Sequence, residues 1–281
     1  MGVSPLVRRR RLAAELRRLR AVAERSIEDV AEYLECSTAK VRRIEAGQVG
    51  TRVQDVRDLL DSYGVTGPER DKLVELSRQA RARGWWHVYT DFASEEFVTY
   101  LGLEDEASVI STYETYFIPA LVQTETYARA VMTGRAYASL PDVERGLEIR
   151  RKRWRLLDRE DPPTIYALID ESALRRSGPP DLMAEQYDHL VTVSALPHVT
   201  IQVLPLSNGS HPDGGFPFTL LGFSDPADPK IGYAELLNSE HYTDDAEQIG
   251  RYQAAFDQLR GRAMDPDESV GLIKACGREV Q

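Results

Sequence analysis

Acidic side chains at the ends of predicted strands are the first candidates for chemistry: Asp170 with Glu171, and Glu235 in Tyr233-Ala234-Glu235. Carboxylates so placed would suit the acid and base roles of a nucleotide-using transferase, such as an ADP-ribosyltransferase. Strand-end carboxylates are ordinarily solvated, however, and no glycine-rich phosphate loop accompanies these. Ser210, His211 and Asp213 have the residue types of a hydrolase triad, but they share one short loop and lack a Gly-x-Ser-x-Gly elbow. The two cysteines, Cys36 and Cys276, are far apart and neither forms a Cys-x-x-Cys pair, and the five histidines have no metal-ligand spacing. The expectation is a protein that is not an enzyme and needs no metal or cofactor. A better candidate for binding is the segment from Tyr113 to Tyr127. It joins aromatic residues, Pro119 and the polar pair Gln123-Thr124 where a strand gives way to a helix. A helix N-terminus offers N–H groups to an anion or to a partner's backbone; the alternative is that Thr124 simply caps the helix.

The elements that must position these residues fall into two textures. Up to about residue 83 the apolar residues recur at helical spacing. Leu12, Leu16, Leu19 and Ala23 define a first helix with its arginines outward. Ser26, three residues before Asp29, reads as a capping box opening a short second helix with Val30, Ala31 and Leu34 inward. Ser37 can cap a third helix over 38–46, which buries Val41 and Ile44 and stops at Gly47. Two short helices joined by so tight a turn are the signature of a helix-turn-helix. Further helices are expected over 53–63 and 68–83. Beyond Gly84 the pattern is mixed, with strands over 107–118, 164–169, 199–204, 216–223 and 231–237 and helices over 124–133, 140–157, 180–196, 244–264 and 266–276. The fold class is thus a five-helix all-α domain, 1–83, followed by a larger α+β domain, 84–281.

At 281 residues the chain has room for one small and one medium core. Its net charge of −10 is unevenly spread: residues 1–80 carry 16 basic against 13 acidic side chains, and the remainder carries 19 against 32. Only the first part is suited to approach phosphate, and eight arginines lie within residues 1–25. No apolar run approaches the roughly 20 residues of a membrane span, and Arg8 to Arg11 lead into an amphipathic pattern rather than a signal core. A cytoplasmic protein is expected.

Residues 12–60 resemble the repressor-type (XRE) helix-turn-helix of phage repressors and bacterial regulators, down to the ending Arg43-Ile44-Glu45-Ala46-Gly47. The resemblance implies an ion pair between Arg20 and Glu45, and a third helix lying in the major groove of double-stranded DNA. On that basis Thr38, Ala39, Lys40 and Arg43 are the candidate base readers, with Arg42 and Arg52 on phosphate. The chain departs from the pattern at Ile27, Thr38 and Ala39, and at Glu24 and Glu35, where turn glycines are usual. Farther on, Gly84-Trp85-Trp86, Tyr100-Leu101-Gly102-Leu103-Glu104, the run from Ile118 to Thr124 and the run from Phe216 to Leu221 resemble a domain of unknown function, DUF5753, found behind this motif in actinobacterial regulators. Members are antitoxin-like or developmental regulators. The resemblance implies a small protein partner; a homodimer is expected because repressor-type domains read paired half-sites, and the second domain is expected to bind a small-molecule effector or that partner, with Tyr113, Gln123, Thr124 and Tyr127 as the candidate site for either.

Overall fold

The computed structural model describes residues 5–47, 50–80, 84–134, 139–176, 178–210, 215–225, 228–236 and 239–280. The chain divides into two compact units, Met1–Asp91 and Phe92–Gln281; the change of texture had predicted the boundary at 83/84. Each unit is built around its own hydrophobic core.

The first unit is helical: α1 (Pro5–Val22), α2 (Ile27–Tyr33), α3 (Thr38–Glu45), α4 (Val53–Ser62) and α5 (Gly67–Gln79), then a 3₁₀ turn at Trp85–Tyr89. The predicted periodicity is realised directly, because Leu12, Leu16, Leu19, Val30, Val41, Ile44, Val56 and Leu60 meet in one core. Local capping sets the helix starts. Ser26 Oγ accepts from the Asp29 N–H at 3.0 Å, while Asp29 Oδ2 accepts from the Ser26 N–H at 2.9 Å. Hydrogen bonds to the carboxyl from the Ser26 N–H and from the Ser26 side chain hold Asp29 below its usual range. Ser37 Oγ accepts from the Lys40 N–H and starts α3.

The second unit wraps helices around a six-stranded sheet. In chain order it runs α6 (Glu95–Glu104), β1 (Val109–Glu114), α7 (Glu125–Thr133), α8 (Leu140–Asp158), β2 (Thr164–Asp170), α9 (Glu171–Arg175), α10 (Pro180–Ser194), β3 (Val199–Leu204), β4 (Phe218–Gly222), β5 (Ile231–Glu235), β6 (Glu240–Thr243), α11 (Ala246–Arg262) and α12 (Pro266–Glu279). The spatial order is β3-β2-β1-β4-β5-β6. Strands β1, β2 and β3 are parallel, linked by helical crossovers, whereas β4, β5 and β6 are antiparallel additions. Tyr113, Leu168, Leu204, Phe218 and Leu220 line one face and pack on Phe256 and Leu259 of α11. On the opposite face Thr219 Oγ1 donates to Thr112 Oγ1 at 3.1 Å, and Tyr233 stacks on Tyr100 of α6 with centroids 3.9 Å apart. The outer edge of β3 is engaged by α12 and the residues just before it: Val203 N–H donates to Ser269 Oγ, Met264 N–H donates to Val203 O, and Gln202 Nε2 donates to Met264 O.

The strand predicted over 107–118 is shorter than expected, ending at Glu114 before Pro119. Strand β6 and helix α9 were not predicted. Glu-His-Tyr-Thr has no alternation, and α9 is a single turn held by Asp170 as its cap.

Candidate nucleic-acid interface and second-unit cleft

Helix α3 presents a buried and an exposed face. Val41, Ile44 and Glu45 point inward, while Ala39, Arg42 and Arg43 are exposed and Thr38 and Lys40 are half-buried. Arg43 makes no ion pair or hydrogen bond among the described residues. Lys40 Nζ rests 3.0 Å from Asp55 of α4, so this ammonium would have to leave a carboxylate before it could meet a guanine. Arg42 lies 4.0 Å from Glu28, a contact between two exposed groups that water weakens. Arg52 stands exposed at the start of α4 and does not use its side chain as a cap.

Arg20 and Glu45 form the expected pair. Arg20 Nε and Nη2 donate to the two Glu45 oxygens at 2.7 and 3.0 Å, and Nη1 donates to the Arg25 carbonyl. Hydrogen bonding to the Glu45 carboxylate raises the Arg20 pKa above its ordinary value, despite opposing desolvation. One guanidinium thus ties α1 to the end of α3 and to the turn before α2.

Glu24 and Glu35 occupy the turns with φ of 51° and 48°, the left-handed region that a side chain resists. Each costs about 1–2 kcal/mol in that region, against about 0.5–1 kcal/mol of chain entropy that glycine would forfeit on folding. Glu24→Gly and Glu35→Gly are therefore each expected to stabilise the first unit by roughly 0.5–1 kcal/mol. An unmoved or lowered denaturant midpoint would contradict this.

In the second unit the structure separates the four residues Tyr113, Gln123, Thr124 and Tyr127. Tyr113 is fully buried in the core facing α11. Tyr127 is also buried, and its hydroxyl accepts from the Ile118 N–H at 3.3 Å. Burial raises both phenols above their usual range. Thr124 caps α7, its Oγ1 accepting from the Tyr127 N–H. Gln186 of α10 clamps the same junction, accepting from the Thr124 N–H at 2.8 Å and donating to the Val122 carbonyl at 2.9 Å.

Gln123 and Thr124 do share a feature: both line an open cleft of about 450 Å³. Its other walls are Trp154, Leu157 and Asp158 from α8 and Glu185, His189 and Val193 from α10. Desolvation lowers the His189 pKa, so its ring is neutral at pH 7. Glu125 at the mouth accepts from Arg151 and Arg129, while Trp154 Nε1 donates to the Ala120 carbonyl. No sequence signal joined α8 and α10 to Gln123, because these partners come from three segments with unremarkable local patterns.

The carboxylates considered for catalysis have structural duties or stand apart. Asp170 accepts from the Ser172 N–H, and Glu171 accepts from the Leu206 N–H and from Arg175. By register Asp170 lies on the α11 face of the sheet and Glu235 on the opposite face. Of the Ser210, His211 and Asp213 set, His211 and Asp213 lie outside the described residues. Glu114, at the end of β1, keeps some surface but is crowded by protein elsewhere. That burial, with the Glu235 carboxylate, pushes its carboxyl up to about 8 against the pull of Arg150 and Arg153. Among the described residues no group of three or more His, Cys, Asp or Glu could hold a metal ion, and no helix is long and apolar enough to cross a membrane.

A short capped helix exposing arginine, placed beyond a tight turn and locked by an arginine-glutamate pair, defines the class: a helix-turn-helix DNA-binding regulator carrying a second, α/β unit. Family models agree with that division, one described as a helix-turn-helix domain matching residues 11–73 and one described as a domain of unknown function (DUF5753) matching residues 97–275. The second match covers well over half of the chain, which belongs to that family. No curated protein and no solved structure matches it.

Proposed function

We propose that the protein is a cytoplasmic, sequence-specific transcription regulator that reads paired half-sites as a homodimer, and that its second unit is a binding module without catalytic turnover. The observation that carries this reading is α3, whose exposed face bears Ala39, Arg42 and an unengaged Arg43. A bidentate arginine on guanine contributes about 1–3 kcal/mol of base discrimination. Two-fold assembly would let a domain this small gain specificity from two such helices.

The experiment is selection of genomic fragments by the full-length protein at about 0.15 M salt, since DNA affinity is interpretable only at a stated ionic strength. Enrichment of a paired motif, lost or degraded roughly tenfold or more in Arg43→Ala, is the expected result. Equal enrichment by the variant would remove α3 as the reader.

An antitoxin-like mode acting mainly through a small protein partner is the second reading. It is favoured by Tyr116, Phe117, Leu206, Phe216 and Leu236, large apolar side chains exposed in loops at the edge where β1, β3 and β5 end. In that mode DNA enrichment would require the partner protein, whereas an independent reader needs none.

A further inference from the structure

Lys40 and Arg43 are three residues apart on α3 and so lie side by side on its surface, yet their charges are held differently. Arg43 is exposed and unengaged among the described residues, whereas the Lys40 ammonium lies 3.0 Å from the Asp55 carboxylate of α4. With side chains 37% and 19% exposed, this pair is more enclosed than the contact of Arg42 with Glu28, which joins two exposed groups across 4.0 Å. Among the described residues neither the Lys40 nor the Asp55 side chain has another ionic or hydrogen-bond partner.

Helix electrostatics explain the pairing. Lys40 belongs to the first turn of α3, where the helix dipole is positive and disfavours a cation, and Asp55 belongs to the first turn of α4, where the dipole favours a carboxylate. Asp55 therefore offsets a charge that α3 accommodates poorly by itself, and it gives the ammonium an alternative to the surface beside Arg43, whose like charge repels it. The two cations would serve DNA recognition in different ways. An arginine fork can address guanine bidentately, but a lysine is a flexible point charge that any phosphate satisfies. Holding Lys40 on α4 removes the second contribution and leaves the first.

We propose that Asp55 is a specificity-determining residue of the DNA-reading unit: it keeps Lys40 off the DNA, so that α3 selects bases through Arg43 and gains little sequence-independent affinity. This rests on reading α3 as the recognition helix. Asp55 acts through Lys40 and is a positioning residue, with no contact to a base of its own. Both groups retain some water, so the hold is modest, and its effect on binding is several-fold per protomer rather than orders of magnitude.

The test compares the full-length protein with its Asp55→Asn, Lys40→Met and double variants, by binding of sheared genomic DNA across about 0.05–0.2 M salt and by motif enrichment from genomic fragments. Asp55→Asn is expected to bind the sheared DNA at least ~3-fold more tightly per protomer, to steepen the salt dependence by about 0.9 per released ammonium, and to lower motif enrichment over background by ~3-fold or more. In the Lys40→Met background the same substitution is expected to change none of these, which separates release of the ammonium from loss of a carboxylate that repels DNA. Asp55→Asn without effect, an equal effect in the Lys40→Met background, or a ~10-fold loss of enrichment in Lys40→Met alone would each overturn the proposal, the last because it makes Lys40 itself a reader. The Lys40→Met result stands even if Asp55→Asn weakens the fold, which melting curves report. Native motif enrichment that Asp55→Asn leaves unchanged removes this inference and keeps the DNA-reading function; no enrichment by the native protein removes that function and the inference with it.

Discussion

Arg153→Ala is expected to unfold the second unit at temperatures the native protein tolerates. Arg153 Nε and Nη2 donate to Glu104 at 2.6 and 2.7 Å, joining α8 to α6 with side chains only 6% and 1% exposed. Tyr100 donates a third bond to Glu104, also at 2.6 Å, and its ring stacks on Tyr233 of β5. Burial disfavours a charge here, yet the Glu104 carboxylate and the neighbouring phenols hold the guanidinium above the usual arginine range. Removing the cation strands a carboxylate in the core, which costs about 3–5 kcal/mol. For a unit of this size that loss lowers the melting temperature by roughly 10 °C or more. The combined change Tyr100→Phe, Glu104→Leu and Arg153→Met removes every polar member together and is expected to restore most of the loss, because a matched apolar set leaves no uncompensated charge. Calorimetry of the single and triple variants checks this. A triple variant no better than the single one would mean that packing, and not stranded charge, dominates the site.

Glu45→Ala is the corresponding change in the first unit. It leaves Arg20, 17% exposed, without the two bonds that orient it and loosens the junction of α1 with α3. Because Arg20 retains some water, the loss falls near the lower end of the about 3–5 kcal/mol seen for buried pairs. In a helical unit this small that is a melting shift of roughly 10 °C or more. DNA binding is expected to disappear with it, since α3 no longer has a fixed presentation. An unchanged melting temperature with DNA binding lost would instead assign Glu45 to the interface itself.

How much of this was legible in the sequence depended on range. The helix-turn-helix was readable because its determinants are local: Ser26 three residues before Asp29, Ser37 before α3, and the apolar spacing of Leu12, Leu16 and Leu19. The five longer strands were visible through their β-branched and aromatic runs, whereas β6 and α9 were too short to show a period. The Glu104 and Arg153 pair was invisible, because 49 residues separate partners that each look like an ordinary surface residue of an amphipathic helix. Likewise nothing local says that Lys40 rests on Asp55 rather than standing free. At the cleft the junction residues Gln123 and Thr124 could be singled out from type and position, but Tyr113 could not be excluded. Its removal from the group follows only from which face of β1 it occupies.

The hydrogen bonds that Ser269 and Met264 make to Val203 bear on how copies of this chain can associate. A sheet normally recruits another chain by lending it the unpaired amides of an outer strand. On the β3 side the backbone of Val203 is already engaged by Ser269 and Met264. The other outer strand, β6, is only four residues long and carries Glu240 and His241, a poor template for extension. The proposed homodimer is therefore expected to be written in side chains rather than in this sheet's backbone, which would make it specific to the residues that meet and open to control by single substitutions.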